Sequence, residues 1–214
     1  MAEPTRPHGG DNTSVPRPLS KPEWRSVLLS ARRLVPADQH AAEARALADG
    51  ALAAAARTSG PVCCYVPIGT EPGSLVMLDE LRHAGHEVLL PVLPDVTAHP
   101  SAMSWAYYQG PSSLVAGPHR LRQPDGPALP PTAIASSALI LVPGLAVDHH
   151  GVRLGRGAGW YDRTLPLARP GSTVACVVRD DELVPRLPSE PHDVVMTASL
   201  TPLGGLRALP LRLD

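Results

Sequence analysis

The continuous apolar run ALILVPG, residues 138–144, constrains the fold more than any other feature of the sequence. A strand with one solvated face alternates apolar and polar side chains, whereas a run that is apolar throughout is typical of a strand buried on both faces of a parallel sheet. Sheets of that kind occur in α/β domains, where helices cover both faces. The run therefore predicts the central strand of a three-layer α/β domain with a mostly parallel sheet.

The segments before this run predict the order strand, helix, strand. Residues 74–85 read as a helix that begins after Ser74 and ends at Gly85, because serine is a common N-cap and glycine a common stop. Strand, helix, strand predicts a parallel pair with a right-handed crossover. A proline-rich connection is expected over residues 109–131. The other strand candidates are residues 61–67, 86–92, 102–108, 172–178 and 193–200.

Two helices are predicted ahead of the first strand. Ser20 is followed by Pro22 in the first turn and by Glu23 three positions on, a pattern that indicates a capped helix start. Apolar residues from Trp24 to Val35 then recur at helical spacing. An alanine-rich second helix is expected from about Asp38 to Arg57.

Composition narrows the class of function. Residues 1–19 are rich in proline, glycine and polar side chains, so we expect a disordered tail, with residues 20–214 forming one domain. The net charge of −1 gives no global field that would attract nucleic acid or an anionic membrane. No apolar stretch has the length of a membrane span. We therefore expect a soluble, cytoplasmic protein that binds neither nucleic acid nor membrane. Composition does not address the oligomeric state, for which we expect a monomer.

Three glycines alternate in the segment directly after the buried run, PGLAVDHHGVRLGRGAGWYD at residues 143–162. Ligands of parallel α/β sheets bind beyond the carboxyl ends of the strands, which is where this segment begins. Gly155, Gly157 and Gly159 lack Cβ atoms, so the backbone N–H groups of this stretch can turn toward an anion. The segment predicts an anion-binding loop.

Charged side chains in and after the same segment extend this prediction. Arg153, Arg156 and Arg163 carry planar donors suited to phosphate or carboxylate oxygens. Asp162, and with it Asp148, can supply hard oxygen ligands for magnesium. The combination fits a nucleotide triphosphate with its metal, although the spacing matches neither GxxxxGK[ST] nor GxGxxG. A plain surface loop of similar composition stays an alternative at this point.

A longer match to a known sequence signature argues against a plain surface loop. LVPGLAVDHHGVRLGRGAGWYDRTL, residues 141–165, closely resembles the signature of the 5-formyltetrahydrofolate cyclo-ligase family (methenyltetrahydrofolate synthetase), which typically reads vPglaFD and then G-x-RlGyGgGyYDr-L. The resemblance covers about residues 20–207. Further segments match family landmarks in the same order: KPEWR at 21–25, CYVPIGTEP at 64–72, EVLLPV at 87–92 and EPHDV at 190–194.

The resemblance implies a cyclo-ligase fold and an ATP- and Mg²⁺-dependent conversion of 5-formyltetrahydrofolate into 5,10-methenyltetrahydrofolate. Carried over by position, Lys21 and Arg25 would contact ATP phosphates, and Glu71 would bind the pterin side of the substrate. Asp162 and Asp193 would hold magnesium. Lys21 would also be catalytic.

The same resemblance implies that the glycine-rich loop serves both substrates. Arg156 would be the second catalytic residue, and the stretch from Arg156 to Trp160 would touch the folate as well as ATP. The residues implied to bind ATP in this loop are Arg153, Leu154, Gly155, Arg156, Gly157, Ala158, Gly159, Trp160 and Tyr161.

The sequence departs from the family pattern at several positions. Val147 replaces a phenylalanine, Trp160 replaces a tyrosine, and Thr197 stands where the family carries a second acid four residues after Asp193. Two alternative functions follow from such departures. One is a divergent relative that uses the ATP loop on another substrate, and the other is a non-catalytic folate- or nucleotide-binding protein. Retention of Lys21, Arg25, Arg156 and Asp162 together favours an enzyme.

Overall fold

The computed structural model describes residues 17–94 and 101–211. Of the predicted tail, residues 1–16 lie outside the described residues, and residues 17–19 have no regular secondary structure. The α-helices are α1 (Lys21–Arg33), α2 (Ala37–Ala55), α3 (Leu75–His83) and α4 (Trp160–Thr164). The strands are β1 (Val62–Cys63), β2 (Val88–Val92), β3 (Ser104–Tyr107), β4 (Leu114–Ala116), β5 (Arg122–Pro124), β6 (Leu139–Pro143), β7 (Ala146–Asp148), β8 (Arg153–Leu154), β9 (Thr173–Val177), β10 (Leu183–Val184), β11 (Ala198–Thr201) and β12 (Gly205–Ala208).

Seven strands form one mixed sheet in the order β12-β11-β9-β6-β1-β2-β3. The five inner strands are parallel, whereas β3 and β12 pair antiparallel at the two edges. The apolar run forms β6 in the middle of this sheet, where Leu139, Ile140, Leu141 and Val142 are all buried. The predicted central strand and the α/β class are therefore confirmed.

Alternate side chains of β6 enter two separate cores. Leu139 and Leu141 pack with residues of α2 and α3, whereas Ile140 and Val142 pack on the opposite face. That second face is covered by short 3₁₀ segments, which contribute Ile134 and Leu165. Two long helices thus cover one face, and short helical turns cover the other.

Helix α1 packs against a second, smaller sheet rather than against the main one. The strands β10, β7 and β8 form this sheet, and β7 and β8 come from the glycine-rich segment. Leu28 of α1 joins Leu145, Ala146 and Leu154 in a third apolar cluster. Because this contact fixes α1 beside the glycine-rich segment, the polar face of the helix can reach that segment.

Helix α3 begins as predicted, because the Ser74 side chain accepts a hydrogen bond from the backbone N–H of Val76. One element was not predicted, and one predicted boundary was wrong. The connection at residues 109–131 contains an antiparallel ribbon of β4 and β5, whose three-residue strands are too short for a recognisable alternation. The last parallel strand begins at Ala198 instead of residue 193, because Asp193 closes a turn by accepting from the backbone N–H of Glu190 at 2.7 Å.

A buried ion pair links α1 to the end of β6. Arg32 is 2% exposed and donates to both carboxylate oxygens of Glu182, at 2.6 and 2.8 Å, and to the carbonyl of Gly144 at 2.6 Å. Glu182 also accepts from the backbone N–H of Arg179. The pair fixes the peptide at which the glycine-rich segment begins. No helix of the described residues combines the length and the apolar character needed to cross a membrane.

We predict that Arg32→Met lowers the free energy of unfolding by about 3–5 kcal/mol, because it leaves the Glu182 carboxylate buried without a partner. The double variant Arg32→Met/Glu182→Leu removes that charge and should lose less than Arg32→Met alone. Urea denaturation of both variants measures the difference. A double variant that loses as much stability as Arg32→Met, or more, would contradict this account of the pair.

Candidate functional site

A cleft of about 640 Å³ opens at the carboxyl ends of the parallel strands. β2 and β6 lie on opposite sides of β1 in the sheet. From β1 the chain passes through α3 to β2, and from β6 it passes through the glycine-rich segment to β9. The connections after β1 and β6 cross opposite faces of the sheet. Their divergence opens the crevice in which α/β domains bind ligands.

The described structure brings all the site residues that the family resemblance implied to this one cleft, although their roles stay predictions. The cleft is lined by Lys21, Arg25, Glu71, Arg153, Leu154, Gly155, Arg156, Gly157, Ala158, Gly159, Trp160, Tyr161, Asp162 and Asp193. These residues come from α1, from the loop after β1, from the glycine-rich segment and from the turn before β11. Residues distant in sequence therefore form one site.

Two cations of α1 face the cleft one helical turn apart. The ammonium group of Lys21 donates to Asp193 at 2.8 and 2.9 Å and to Glu190 at 2.7 Å. Arg25 donates from Nε to the carbonyl of Gly155 at 2.9 Å and makes no ion pair within the described residues. Helix α1 thus supplies positive charge along one wall of the cleft.

The pKa values of Lys21 and Asp193 reflect their contact. Burial lowers the pKa of Lys21, but hydrogen bonds to Asp193 and Glu190 outweigh this effect, so its pKa lies above the ordinary value. Burial likewise raises the pKa of Asp193. Hydrogen bonds from Lys21 and from the backbone N–H of Glu190 outweigh that effect, so the pKa of Asp193 lies below its usual 3.8. Both groups are charged at neutral pH.

The glycines give the loop a backbone that other residues rarely adopt. Gly157 has φ +106° and Gly159 has φ +68°, and both values lie in the region that disfavours a Cβ atom. A Cβ on Gly157 would also stand 3.6 Å from the guanidinium carbon of Arg25. The loop therefore keeps its backbone open toward the cation of α1, as an anion-binding loop requires.

Arg153 is buried at the base of the loop. It donates to the carbonyl of Pro143 at 3.3 Å and to Asp162 at 3.0 Å, and its guanidinium carbon lies 5.4 Å from the centre of the Tyr161 ring. Its Nε is buried and has no hydrogen-bond partner within the described part of the chain. Arg163 does not line the cleft. It stacks on Trp160 instead, at 5.0 Å from that ring.

Glu71 and Arg156 join two sides of the cleft. Arg156 donates from Nε to Glu71 Oε1 at 2.9 Å, and the backbone N–H of Ile68 donates to Oε2 of the same carboxylate at 3.1 Å. The Glu71 side chain is 8% exposed, whereas that of Arg156 is 43% exposed. Glu71 is therefore a fixed acceptor, and Arg156 is a cation that solvent and ligands can reach.

One group of the described residues could hold a metal ion through three ligands. Oxygen or nitrogen atoms of Glu190, His192 and Asp193 lie within 4.8 Å of one another. Asp162 lines the same cleft outside this group and is paired with Arg153. Asp148 does not line the cleft, so its suggested role as a magnesium ligand was wrong: its side chain is committed to backbone N–H groups of its own turn and of Leu187.

Thr197, which replaces a family acid, lies away from the cleft. Its hydroxyl accepts from the backbone N–H of Val174 at 2.8 Å, near the beginning of β9 rather than at its carboxyl end. The substitution therefore leaves the charge of the cleft unchanged.

No cysteine among the described residues can act as a nucleophile in the cleft. Cys63, Cys64 and Cys176 are fully buried, and burial raises the pKa of each thiol to about 12. Each therefore stays protonated at neutral pH. Their predicted role as inert core residues is confirmed.

Sequence reasoning missed part of the lining. Glu190 and His192 stand beside Asp193 in the EPHDV segment, and their spacing from it was a signal that could have included them. Seven others lie inside motifs that were recognised in the sequence and could have been included for that reason: Tyr65, Val66, Ile68, Pro91, Pro143, Gly144 and Leu145. The rest carried no such signal, because they lie between β2 and β6 outside every recognised motif. They are Leu93, Met103, His119, Leu121, Arg122 and Gln123.

The mostly parallel sheet and the charged cleft at its switch point define an α/β enzyme that acts on a small molecule. A family model described as the 5-formyltetrahydrofolate cyclo-ligase family matches residues 18–202. A 5-formyltetrahydrofolate cyclo-ligase of Mycolicibacterium smegmatis is 49% identical over 193 residues, which are 90% of this chain and 98% of that protein. The chain belongs to the 5-formyltetrahydrofolate cyclo-ligase family and is an enzyme.

More distant relatives agree with this assignment. A 5-formyltetrahydrofolate cyclo-ligase of Escherichia coli is 29% identical over 142 residues, covering 66% of this chain and 77% of that protein. The NMR structure of 5,10-methenyltetrahydrofolate synthetase from Aquifex aeolicus matches with a TM-score of 0.68 and 25% identity over 91% of this chain and 95% of that one. The corresponding synthetase from Mycoplasma pneumoniae gives a TM-score of 0.64 at 15% identity, over 83% of this chain and 96% of that one, and so supports the fold alone.

The low pKa of Asp193 leads to a prediction about acid stability. Its stabilising contribution is present above the unfolded pKa of about 3.8 and is lost as the pH falls through the lower folded value. Between pH 6 and pH 3, we expect the free energy of unfolding to fall less for Asp193→Asn than for the unaltered protein. Urea unfolding midpoints at both pH values measure the two changes. Asp49→Asn, at an exposed position of α2, is the control and should follow the unaltered protein. Equal acid dependence in Asp193→Asn would contradict the assignment.

Proposed function

We propose that this enzyme converts 5-formyltetrahydrofolate into 5,10-methenyltetrahydrofolate with ATP and magnesium. The observation that carries the proposal is that groups suited to phosphate and a group suited to a pterin line the same cleft. Lys21, Arg25 and Arg156 are cations of the kind that bind phosphate. They face the same space as Glu71, a fixed carboxylate. Membership of the cyclo-ligase family supports the same activity.

The glycine-rich loop and α1 fit the phosphates of ATP. Arg25 makes no ion pair within the described residues, and the open backbone at Gly157 leaves room beside its guanidinium group. A polyphosphate has oxygens enough to satisfy donors of this kind, because its negative charge is spread over all of them. Lys21 would exchange its two carboxylate partners for a phosphate oxygen.

The carboxylates fit magnesium. Asp162 and Asp193 are the proposed ligands. Glu190 and His192 lie near enough to Asp193 to supply further ligands to the same ion. Oxygen ligands are those that magnesium prefers. When bound, the ion would neutralise charge on the phosphate oxygens.

The reaction requires activation of a weak leaving group. The formyl oxygen departs readily only after it has received the terminal phosphoryl group of ATP, so that the neighbouring nitrogen can then close the five-membered ring and release phosphate. Enzymes assist such transfers by positioning the reactants and neutralising charge on the oxygens. Lys21 and Arg156 are the proposed catalytic cations, and no protein nucleophile is needed.

Glu71 is proposed to orient the folate. Pterin rings carry N–H donors, and an ionised carboxylate accepts hydrogen bonds only. The backbone N–H of Ile68 already holds one Glu71 oxygen, so the carboxylate keeps its orientation when Arg156 turns to phosphate. The loop residues from Arg156 to Trp160 would then contact both substrates.

The proposed activity can be tested by mixing the protein with ATP, magnesium and 5-formyltetrahydrofolate. The methenyl product has near-ultraviolet absorbance that the substrate lacks, and we expect it to appear only when all three components are present. Product formed without ATP, or absent from the complete mixture, would contradict the proposal.

We predict that Arg156→Ala lowers kcat at least 100-fold, the size of effect seen when one donor to a transition-state oxygen is removed. Because the side chain is 43% exposed, the free energy of unfolding should change by less than about 1 kcal/mol. Arg169→Ala, which removes an exposed arginine outside the cleft, is the control and should change neither quantity. A large fall in melting temperature for Arg156→Ala would show that the role of the residue is structural.

A further inference from the structure

We propose that the β4–β5 ribbon forms the subsite for the glutamate carboxylates of the folate substrate. This inference rests on the proposed function, since it assigns a part of the same substrate. Its central residue is Arg122, and His119, three residues earlier in the turn of the ribbon, lines the same cleft. Neither residue belongs to a family motif found in the sequence.

The ribbon has a fixed position at the cleft. The side-chain oxygen of Gln123 accepts from the backbone N–H of Leu93 at 3.3 Å, which attaches β5 to the end of β2. β2 and β6 lie on opposite sides of β1, and the glycine-rich segment follows β6. The ribbon and the glycine-rich segment therefore form different walls of the cleft. Leu121, Arg122 and Gln123 all line the wall formed by the ribbon.

Among the described residues, no acid compensates the charge of the ribbon. Each acidic residue that lines the described cleft contacts a cation outside the ribbon: Glu71 contacts Arg156, Asp162 contacts Arg153, and Asp193 and Glu190 contact Lys21. Arg122 makes one hydrogen bond, from Nη2 to the carbonyl of Pro111 at 3.1 Å, and no ion pair within residues 17–94 and 101–211. With respect to these residues, the rest of its exposed guanidinium group can bind a ligand.

The turn of the ribbon holds His119 in an uncommon conformation. Its φ is +57°, in the left-handed region that residues other than glycine seldom occupy. Such backbone outliers are often found at ligand-binding sites, where the surrounding structure holds them in place. Here the conformation accompanies an imidazole that lines the cleft close to Arg122 in sequence.

The cleft is lined by a residue suited to each chemical group of a folate. The pterin ring needs a hydrogen-bond acceptor, which Glu71 supplies. The aminobenzoyl ring that follows it is apolar, and Leu93, Met103 and Leu121 are apolar residues of the β2–β3 side and of the ribbon that line the cleft. The glutamate ends in two carboxylates, for which a free guanidinium group is a suitable planar donor.

Equilibrium binding tests this subsite without requiring turnover. Calorimetric titration would measure the affinity for 5-formyltetrahydrofolate and for the methylamide of 5-formyltetrahydropteroate, which has the same rings and amide but no carboxylate. We expect the unaltered protein to bind the folate about fivefold more tightly, the factor that one exposed charged contact can supply. Arg122→Gln should remove this preference by weakening folate binding, while leaving the affinity for the methylamide and the affinity for ATP unchanged.

The matched control is Arg207→Gln. Arg207 is also an exposed arginine on a short strand with one bond to a backbone carbonyl, that of Gly204 at 3.2 Å, but it lies on β12 outside the cleft. It should keep the full preference for the folate.

The possible results separate this inference from the proposed function. Loss of the preference in Arg122→Gln supports the subsite, even if the activity assay fails and the proposed reaction has to be abandoned. Equal affinity of the unaltered protein for the two compounds, no binding of either, or a preference that survives Arg122→Gln would overturn the subsite, even if the enzyme forms the methenyl product.

Discussion

The parallel pairing of β1 with β6 is the contact on which the whole site depends. Val62 and Cys63 align with Leu139 and Ile140, so two strands far apart in sequence end side by side. One is followed by the loop that carries Glu71, and the other by the glycine-rich segment. Because their connections cross opposite faces of the sheet, the two loops diverge and a cleft opens between them. The small sheet then holds α1, with its two cations, against the second loop.

The charges of the cleft are paired with one another across its walls. Lys21 contacts Asp193 and Glu190, Arg156 contacts Glu71, and only the last of these cations is widely exposed. A cation held by a carboxylate keeps its charge and its approximate place, so little reorganisation is needed when a phosphate replaces that carboxylate. In the proposed reaction the phosphates of ATP bind Lys21 and Arg156, magnesium binds Asp193, and the pterin binds Glu71. The same contacts that stabilise the free protein would thus prepare it for both ligands.

The fold and most of the site could be predicted from sequence where the signal is local or lies in an extended motif. The apolar run predicted β6, Ser74 predicted the start of α3, and the family motifs led to residues from four segments that do meet in one cleft. The β4–β5 ribbon could not be predicted, because strands of three residues show no periodicity and their pairing is set by tertiary contacts. Sequence spacing also does not reveal which acid each cation contacts. For the same reason, the sequence could not show that Asp162 lines the cleft whereas Asp148 does not.

The most direct test of the account is a structure of the enzyme with a non-hydrolysable ATP analogue, magnesium and 5-formyltetrahydrofolate. The account predicts phosphate oxygens within about 3 Å of Lys21 Nζ and of the Arg156 guanidinium group, with the pterin ring on Glu71. A nucleotide bound elsewhere, with the Lys21–Asp193 and Arg156–Glu71 contacts still intact, would contradict it.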